Sequence, residues 1–220
     1  LPMASAALVR DDGAAGLMAS SLRAAGKVSH GPRLLPEDAS FHEVAIVTAN
    51  LEPSMNLETL VEPDRVHKTV YTDPQIFDME MARIWERTWV YCGHESQVPN
   101  PGDYAAVQIG RQPMIMVRQK NGEVQVLYNR CPHRGVQLVG NLKGNTGSAF
   151  VCSYHAWSFH LDGSVRAIPL ANGYEGTRMT KDNPDCSMKR AARVGSYRGF
   201  VFASLAAEGP TLDEFLGEAR

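Results

Sequence analysis

From Trp89 onward, apolar and polar residues alternate along the chain with a period close to two. Trp89 to Tyr91, Tyr104 to Ile109, Met114 to Val117 and Glu123 to Tyr128 are short runs rich in β-branched and aromatic residues, and they read as strands. Turn residues separate them, first Pro99-Asn100-Pro101-Gly102 and then Asn121-Gly122, a strong hairpin signal. Asn145-Thr146-Gly147 and Asp162-Gly163 mark further turns, and Ser148 to Val151, Ser158 to Leu161 and Tyr197 to Ser204 further strands. The pattern predicts an all-β unit with a turn every ten residues or so. Ahead of it the period is helical. Asp73 is placed as a cap and Pro74 as the first helical residue. Phe77, Met81, Ile84 and Trp85 then form an apolar stripe. Ile168 to Arg190 reads as a long surface loop. Thr211-Leu212-Asp213-Glu214 is a capping-box pattern that opens a second helix.

Up to about Gly31 the chain is dominated by Ala, Ser and Gly without a period, the mark of a disordered leader. Its one apolar stretch, Ala6 to Val9, is cut off by Arg10-Asp11-Asp12 and is too short for a signal-peptide core. Residue 1 is Leu, Met55 opens the regular part, and Arg220 follows directly on a helical signal, so truncation at both ends is expected. The expected organisation is a disordered or non-native leader over 1–54 and a helical lead-in over 55–88. The β domain covers 89–205, and 206–220 begins a further, truncated domain.

Composition narrows the function classes. With 220 residues, 44% hydrophobic and 21% charged, the chain is ordinary globular material. A net charge of −2 excludes a chain-wide basic footprint for nucleic acid or for an anionic membrane surface. No apolar run approaches the roughly 18 residues of a spanning helix. Four cysteines are too few for a disulfide scaffold. The expectation is a cytoplasmic protein with neither nucleic acid nor membrane as partner.

The chemistry concentrates in two loops, Cys131-Pro132-His133-Arg134-Gly135 and Cys152-Ser153-Tyr154-His155-Ala156-Trp157. Each follows a predicted strand and offers one thiol and one imidazole. Two thiolates and two imidazoles suit zinc or an iron–sulfur centre. Zinc fingers usually group cysteine with cysteine and histidine with histidine along the chain, whereas here each loop mixes them. A two-iron cluster sorts such a set, both cysteines on one iron and both histidines on the other. The metal ligands expected are therefore Cys131, His133, Cys152 and His155. Two thiolates leave a diferric core near neutral, so it accepts an electron more readily than an all-cysteine cluster. Gly135 is placed as a backbone donor to the cluster sulfides or as a simple turn glycine. Tyr154 and Trp157 are placed as a cover, with Trp157 near the docking face for an electron donor or packed against the iron. Arg134 is placed as a partner for an acidic group or as a solvated charge. Cys92 and Cys186 lie far from both loops and read as small buried hydrophobes. The remaining histidines, His30, His42, His67, His94 and His160, form no closely spaced pair with an acid nearby.

The motif C-P-H-R-G with C-S-Y-H-A-W resembles the Rieske centre of the large (alpha) subunits of ring-hydroxylating aromatic oxygenases. The resemblance runs from about Met55 to Arg220 and includes Trp89-Val90-Tyr91, the Pro99 to Asp103 turn and Gly199-Phe200-Val201-Phe202. One departure is Ala156, where family members mostly carry Gly. The resemblance implies a mainly β Rieske-type antiparallel sandwich with a cluster-binding subdomain and flanking helices. It implies a [2Fe-2S] Rieske cluster fed from NADH through a reductase or ferredoxin. Electrons then pass to a mononuclear Fe(II) in a catalytic domain that this chain is expected to lack, so that alone it would not hydroxylate. It further implies a trimer of large subunits at full length, with or without a small subunit, and an aromatic substrate such as a benzoate, salicylate or anthranilate. Two readings of other classes stay open: a free-standing Rieske ferredoxin, which is a carrier and not an enzyme, and a structural zinc module.

Overall fold

A computed structural model describes residues 56–220. The expectations for residues 1–54 and for Met55 lie outside them. The described part is mainly antiparallel β, as the period-two pattern predicts.

A small exposed hairpin, β1 (Val61–Glu62) and β2 (Arg65–Val66), precedes helix α1 (Thr69–Thr72) and helix α2 (Pro74–Glu80). Pro74 opens α2, and the Asp73 carboxylate accepts the N–H of Gln75 at 2.8 Å. Of the predicted stripe, Met81 alone lies on the buried face. Ile76, Met79 and Met81 point inward, while Phe77, Ile84 and Trp85 stand exposed. Two local causes account for this. After Glu80 the helix widens into a π turn, Met81–Trp85, which shifts later residues off the 3.6-residue register. Phe77 instead lies under the Arg111 guanidinium, 4.9 Å from the ring centre, and Arg111 in turn pairs with Asp78.

Ten further strands follow: β3 (Val90–His94), β4 (Asp103–Ile109), β5 (Gln112–Arg118), β6 (Val124–Tyr128), β7 (Lys143–Asn145), β8 (Ala149–Val151), β9 (Ser158–His160), β10 (Val165–Ala167), β11 (Arg193–Tyr197) and β12 (Phe200–Ser204). They form a four-stranded sheet in the order β6-β5-β4-β7 and two three-stranded sheets, β11-β12-β3 and β10-β9-β8. Helix α3 (Leu212–Leu216) closes the described part with the predicted capping box, Thr211 and Glu214 bonding each other's backbone N–H. The run Tyr197 to Ser204 is not one strand. Arg198 and Gly199 both take positive φ, 50° and 84°, so the chain reverses in a two-residue hairpin turn. Glycine is required at 199, because a Cβ there would sit 2.4 Å from the His94 ring.

Strand β5 explains how the core positions the site. Met114, Ile115, Met116 and Val117 are all fully buried. Alternation sends Met114 and Met116 to one core, with Val90, Val98, Val126, Val201 and Ala203. It sends Ile115 and Val117 to the other, with Phe150, Trp157, Phe159, Cys131 and Cys152. The second core is the floor under both Cys/His loops. Loop one follows β6, and loop two connects β8 to β9.

Candidate metal centre

The two loops close with the same backbone bonds. In the first, the Cys131 N–H donates to the Val136 carbonyl at 2.8 Å and the Gly135 N–H to the Cys131 carbonyl at 2.8 Å. In the second, the Cys152 N–H donates to the Trp157 carbonyl at 2.8 Å and the Ala156 N–H to the Cys152 carbonyl at 3.0 Å. The residue four places after each cysteine takes the left-handed conformation, Gly135 at φ 72° and Ala156 at φ 56°. The turn thus accounts for Gly135, whose N–H is engaged inside its own loop. Asn129, buried just ahead of loop one, accepts the N–H groups of Leu138 and Val139 and donates to the Val139 carbonyl, which ties down the loop's far side.

This framing sets thiol beside thiol and ring beside ring. Cys131 and Cys152 are 2% and 3% exposed and lie in the same core, close enough for each thiol to act on the other. Burial pushes the Cys131 thiol up to about 11, with Cys152 adding to the effect; the backbone N–H groups of His133 and Arg134 act the other way. The His133 and His155 ring centres are 4.7 Å apart. Burial, then the neighbouring His155 and Arg134, hold the His133 imidazole below its ordinary value, which favours the neutral, metal-binding form. The Nδ1 of His155 is buried without a hydrogen-bond partner. An orphaned imidazole nitrogen, in the same short loop as a buried thiol, is a donor that a metal centre satisfies.

Among the described residues, no three His, Cys, Asp or Glu side chains are arranged to hold a single metal ion. The donors come as a thiol pair and an imidazole pair, the sorting that two adjacent irons use. The residues present therefore fit a two-iron cluster.

The aromatic neighbours separate the two readings given for them, Trp157 as packing and Tyr154 as cover. Trp157 is 1% exposed, so it is no part of a docking face. It begins an inward-facing series with Phe159 and Leu161, set by the alternation of β9, and it stacks on His133 at 4.8 Å with the planes 2° apart. Tyr154 is the exposed cover, its ring 3.8 Å from that of His155. Arg134 is exposed and forms no ion pair among the described residues. Cys92 and Cys186 are buried, as expected; burial pushes the Cys92 thiol up to about 12, which keeps it an inert thiol. Tyr174, in the stretch read as surface loop, is the residue that sequence reasoning missed. Its hydroxyl lies 3.4 Å from Nε2 of His133, and its ring stands edge-on to both His133 and Trp157.

Residues 88–181 match the family model of the Rieske [2Fe-2S] domain. The chain is 40% identical to the alpha subunit of toluate 1,2-dioxygenase from Pseudomonas putida over 176 residues, which is 74% of this chain and 37% of that one. It is also 40% identical to the large subunit of anthranilate 1,2-dioxygenase from Acinetobacter baylyi, covering 71% of this chain and 32% of that one. Among solved structures, naphthalene 1,2-dioxygenase from Rhodococcus sp. bound to indole superposes with a TM-score of 0.64 at 33% identity, over 70% of this chain and 34% of that one. The chain thus spans about a third of the length of the curated relatives it matches.

Proposed function

The chain belongs to the Rieske [2Fe-2S] proteins and is homologous to dioxygenase alpha subunits over about 70% of its length; on that premise we propose that it is the electron-transfer portion of an aromatic-ring-hydroxylating oxygenase. Cys131 and Cys152 hold one iron, and His133 and His155 the other. When bound, such a cluster supplies one-electron exchange at a potential raised by the two neutral imidazoles. The chain's own residues do the rest. The N–H groups of His133 and Arg134 stabilise a thiolate at Cys131. Burial of both cysteines keeps water from the sulfur side. Tyr154 shields His155, and Trp157 holds the plane of His133.

The observation that carries this reading is the sorting of four donors into a thiol pair and an imidazole pair by two loops of matching backbone. Its finer parts follow the family. A ferredoxin or reductase drawing on NADH supplies the electrons, and a mononuclear Fe(II) site receives them in an assembly of alpha subunits. An aromatic acid is the substrate class favoured by the toluate and anthranilate relatives at 40% identity. No helix among the described residues is long and apolar enough to cross a membrane.

Anaerobic reconstitution with ferrous iron and sulfide tests the proposal. The expected product is brown and carries about two irons and two sulfides per chain. Changing an outer partner of a metal ligand commonly weakens metal binding by about 10–100-fold, so removing a ligand outright, as in Cys131→Ser or His155→Ala, is expected to exceed that. A colourless product holding one zinc and no sulfide overturns the reading.

A further inference from the structure

Resting on that reading, we infer that Tyr174 is a positioning residue for His133: its hydroxyl oxygen accepts the Nε2–H of the ring and so keeps Nδ1 turned toward the metal. Tyr174 ends a short 3-10 turn, Ala171–Tyr174, and its own carbonyl is held by the Thr177 hydroxyl at 2.7 Å. From there the half-buried ring reaches back over forty residues of chain to stand at 88° to His133 and 87° to Trp157, with centres 5.9 Å away in both cases. His133 and Trp157 are coplanar, so Tyr174 closes the open edge of a stacked pair. The 3.4 Å contact to Nε2 is the sole hydrogen bond of its hydroxyl among the described residues. Packing alone asks for a ring at this place, not for an oxygen aimed at a ring nitrogen.

The consequence is an inequality between the two imidazoles. His133 is tethered within the chain at its outer nitrogen, whereas His155 has no hydrogen-bonding side chain among the described residues. An acceptor on the outer N–H makes an imidazole a better electron donor to its metal. That favours the oxidised state, so Tyr174 lowers the potential of the centre.

The comparison of Tyr174→Phe with Tyr174→Leu separates the oxygen from the ring. In the metal-free full chain, the long-range proton–nitrogen spectrum of the imidazoles is expected to show His133 as the Nε2–H tautomer. Tyr174→Phe is expected to give a mixture of tautomers at unchanged melting temperature, and Tyr174→Leu the same mixture with a lower melting temperature. In the reconstituted chain, Tyr174→Phe is expected to raise the midpoint potential. A fivefold change in the oxidised-to-reduced ratio corresponds to about 40 mV at 59 mV per tenfold for one electron. A Phe variant that keeps the parent tautomer, or the parent potential, overturns the inference. Failure of the parent chain to take up iron and sulfide strikes instead at the function proposed above, and the tautomer measurement then decides the role of Tyr174 alone.

Discussion

In the Cys131 loop the histidine stands two residues after the cysteine; in the Cys152 loop it stands three residues after. Both loops share one backbone frame, with the same pair of closing bonds and the same left-handed fourth position. They differ in what that frame carries. At the left-handed place, loop one has glycine and loop two alanine. At the place whose carbonyl receives the cysteine N–H, loop one has Val136 and loop two Trp157. The shared frame explains why both thiols are buried in the same core. The differences explain why the rings are held differently: His133 is clamped by Trp157 from the opposite loop and by Tyr174, while His155 lies under Tyr154 of its own loop. Loop two therefore gives the histidine of loop one a stacked ring, whereas loop one returns to His155 only the edge-on contact of His133.

The largest break in that comparison comes at the carbonyl-bearing position. Trp157 is fully buried among Phe150, Phe159 and Leu161. Trp157→Ala leaves a large cavity in the site's floor and is expected to cost about 3–5 kcal/mol of stability. Val136 is half-buried at the edge of the same core, and Val136→Ala is expected to cost about 1 kcal/mol, two methyl groups at partial burial. Urea unfolding of the metal-free chain measures both. Equal costs would show that the two loops rest on the core alike, contrary to the bracing described here.

How far the loops could be read from sequence depends on the range of the contacts. The meeting of Cys131 with Cys152 and of His133 with His155 was legible, because the residue types and their spacing in two strand-flanked loops leave few other pairings. The Trp157 packing was legible in part: alternation with Phe159 and Leu161 points inward, while proximity to the motif left a place near a docking face as the other reading. Tyr174 was hidden. It lies in an irregular stretch without a period, and its partner is forty-one positions away. In the fold, the strands from β4 to β6 followed their pattern closely. The hairpin between β11 and β12 did not, because Arg198 holds a left-handed place that arginine seldom takes. The helical stripe misled for a related reason, since a π turn leaves no mark in an apolar pattern.

A finer test of the shared frame exchanges the two left-handed residues. Ala156 bears a Cβ in a conformation that costs an L-residue about 1–2 kcal/mol over glycine, offset in part by the larger unfolded-state freedom of glycine. Ala156→Gly is expected to stabilise the metal-free chain by about 1 kcal/mol. Gly135→Ala is expected to destabilise it by a similar amount, with no clash involved: the nearest atom to the new Cβ would be Cδ of Arg130 at 4.0 Å. Opposite signs of similar size would show that one backbone geometry governs both loops. A Gly135→Ala variant as stable as the parent would show that loop one relaxes where loop two cannot.

The smallest effect separates the loops by pH. Loop one is tied down by Asn129, a neutral amide whose bonds do not titrate. Loop two leads into the β9–β10 hairpin, whose turn depends on a carboxylate: Asp162 accepts the N–H and hydroxyl of Ser164 and pairs with Arg190 at 3.0 Å. Burial pushes the Asp162 carboxyl up, but the Ser164 bonds and Arg190 outweigh it, and the group ends below its ordinary value. A carboxylate depressed in the folded state adds stability that is full above its unfolded pKa, near 3.9, and fades as pH falls through the lower folded value. Both Asp162 and Arg190 stand nearly half in water, so the ion pair itself contributes under about 1 kcal/mol. The visible result is local. Below about pH 4, hydrogen-exchange protection of the Ser164 amide is expected to fall while that of Leu138 and Val139 persists. Asp162→Asn is expected to remove the pH dependence at Ser164. Parallel loss at both loops would mean that acid loosens the whole floor at once, and that the supports of the two loops do not act independently.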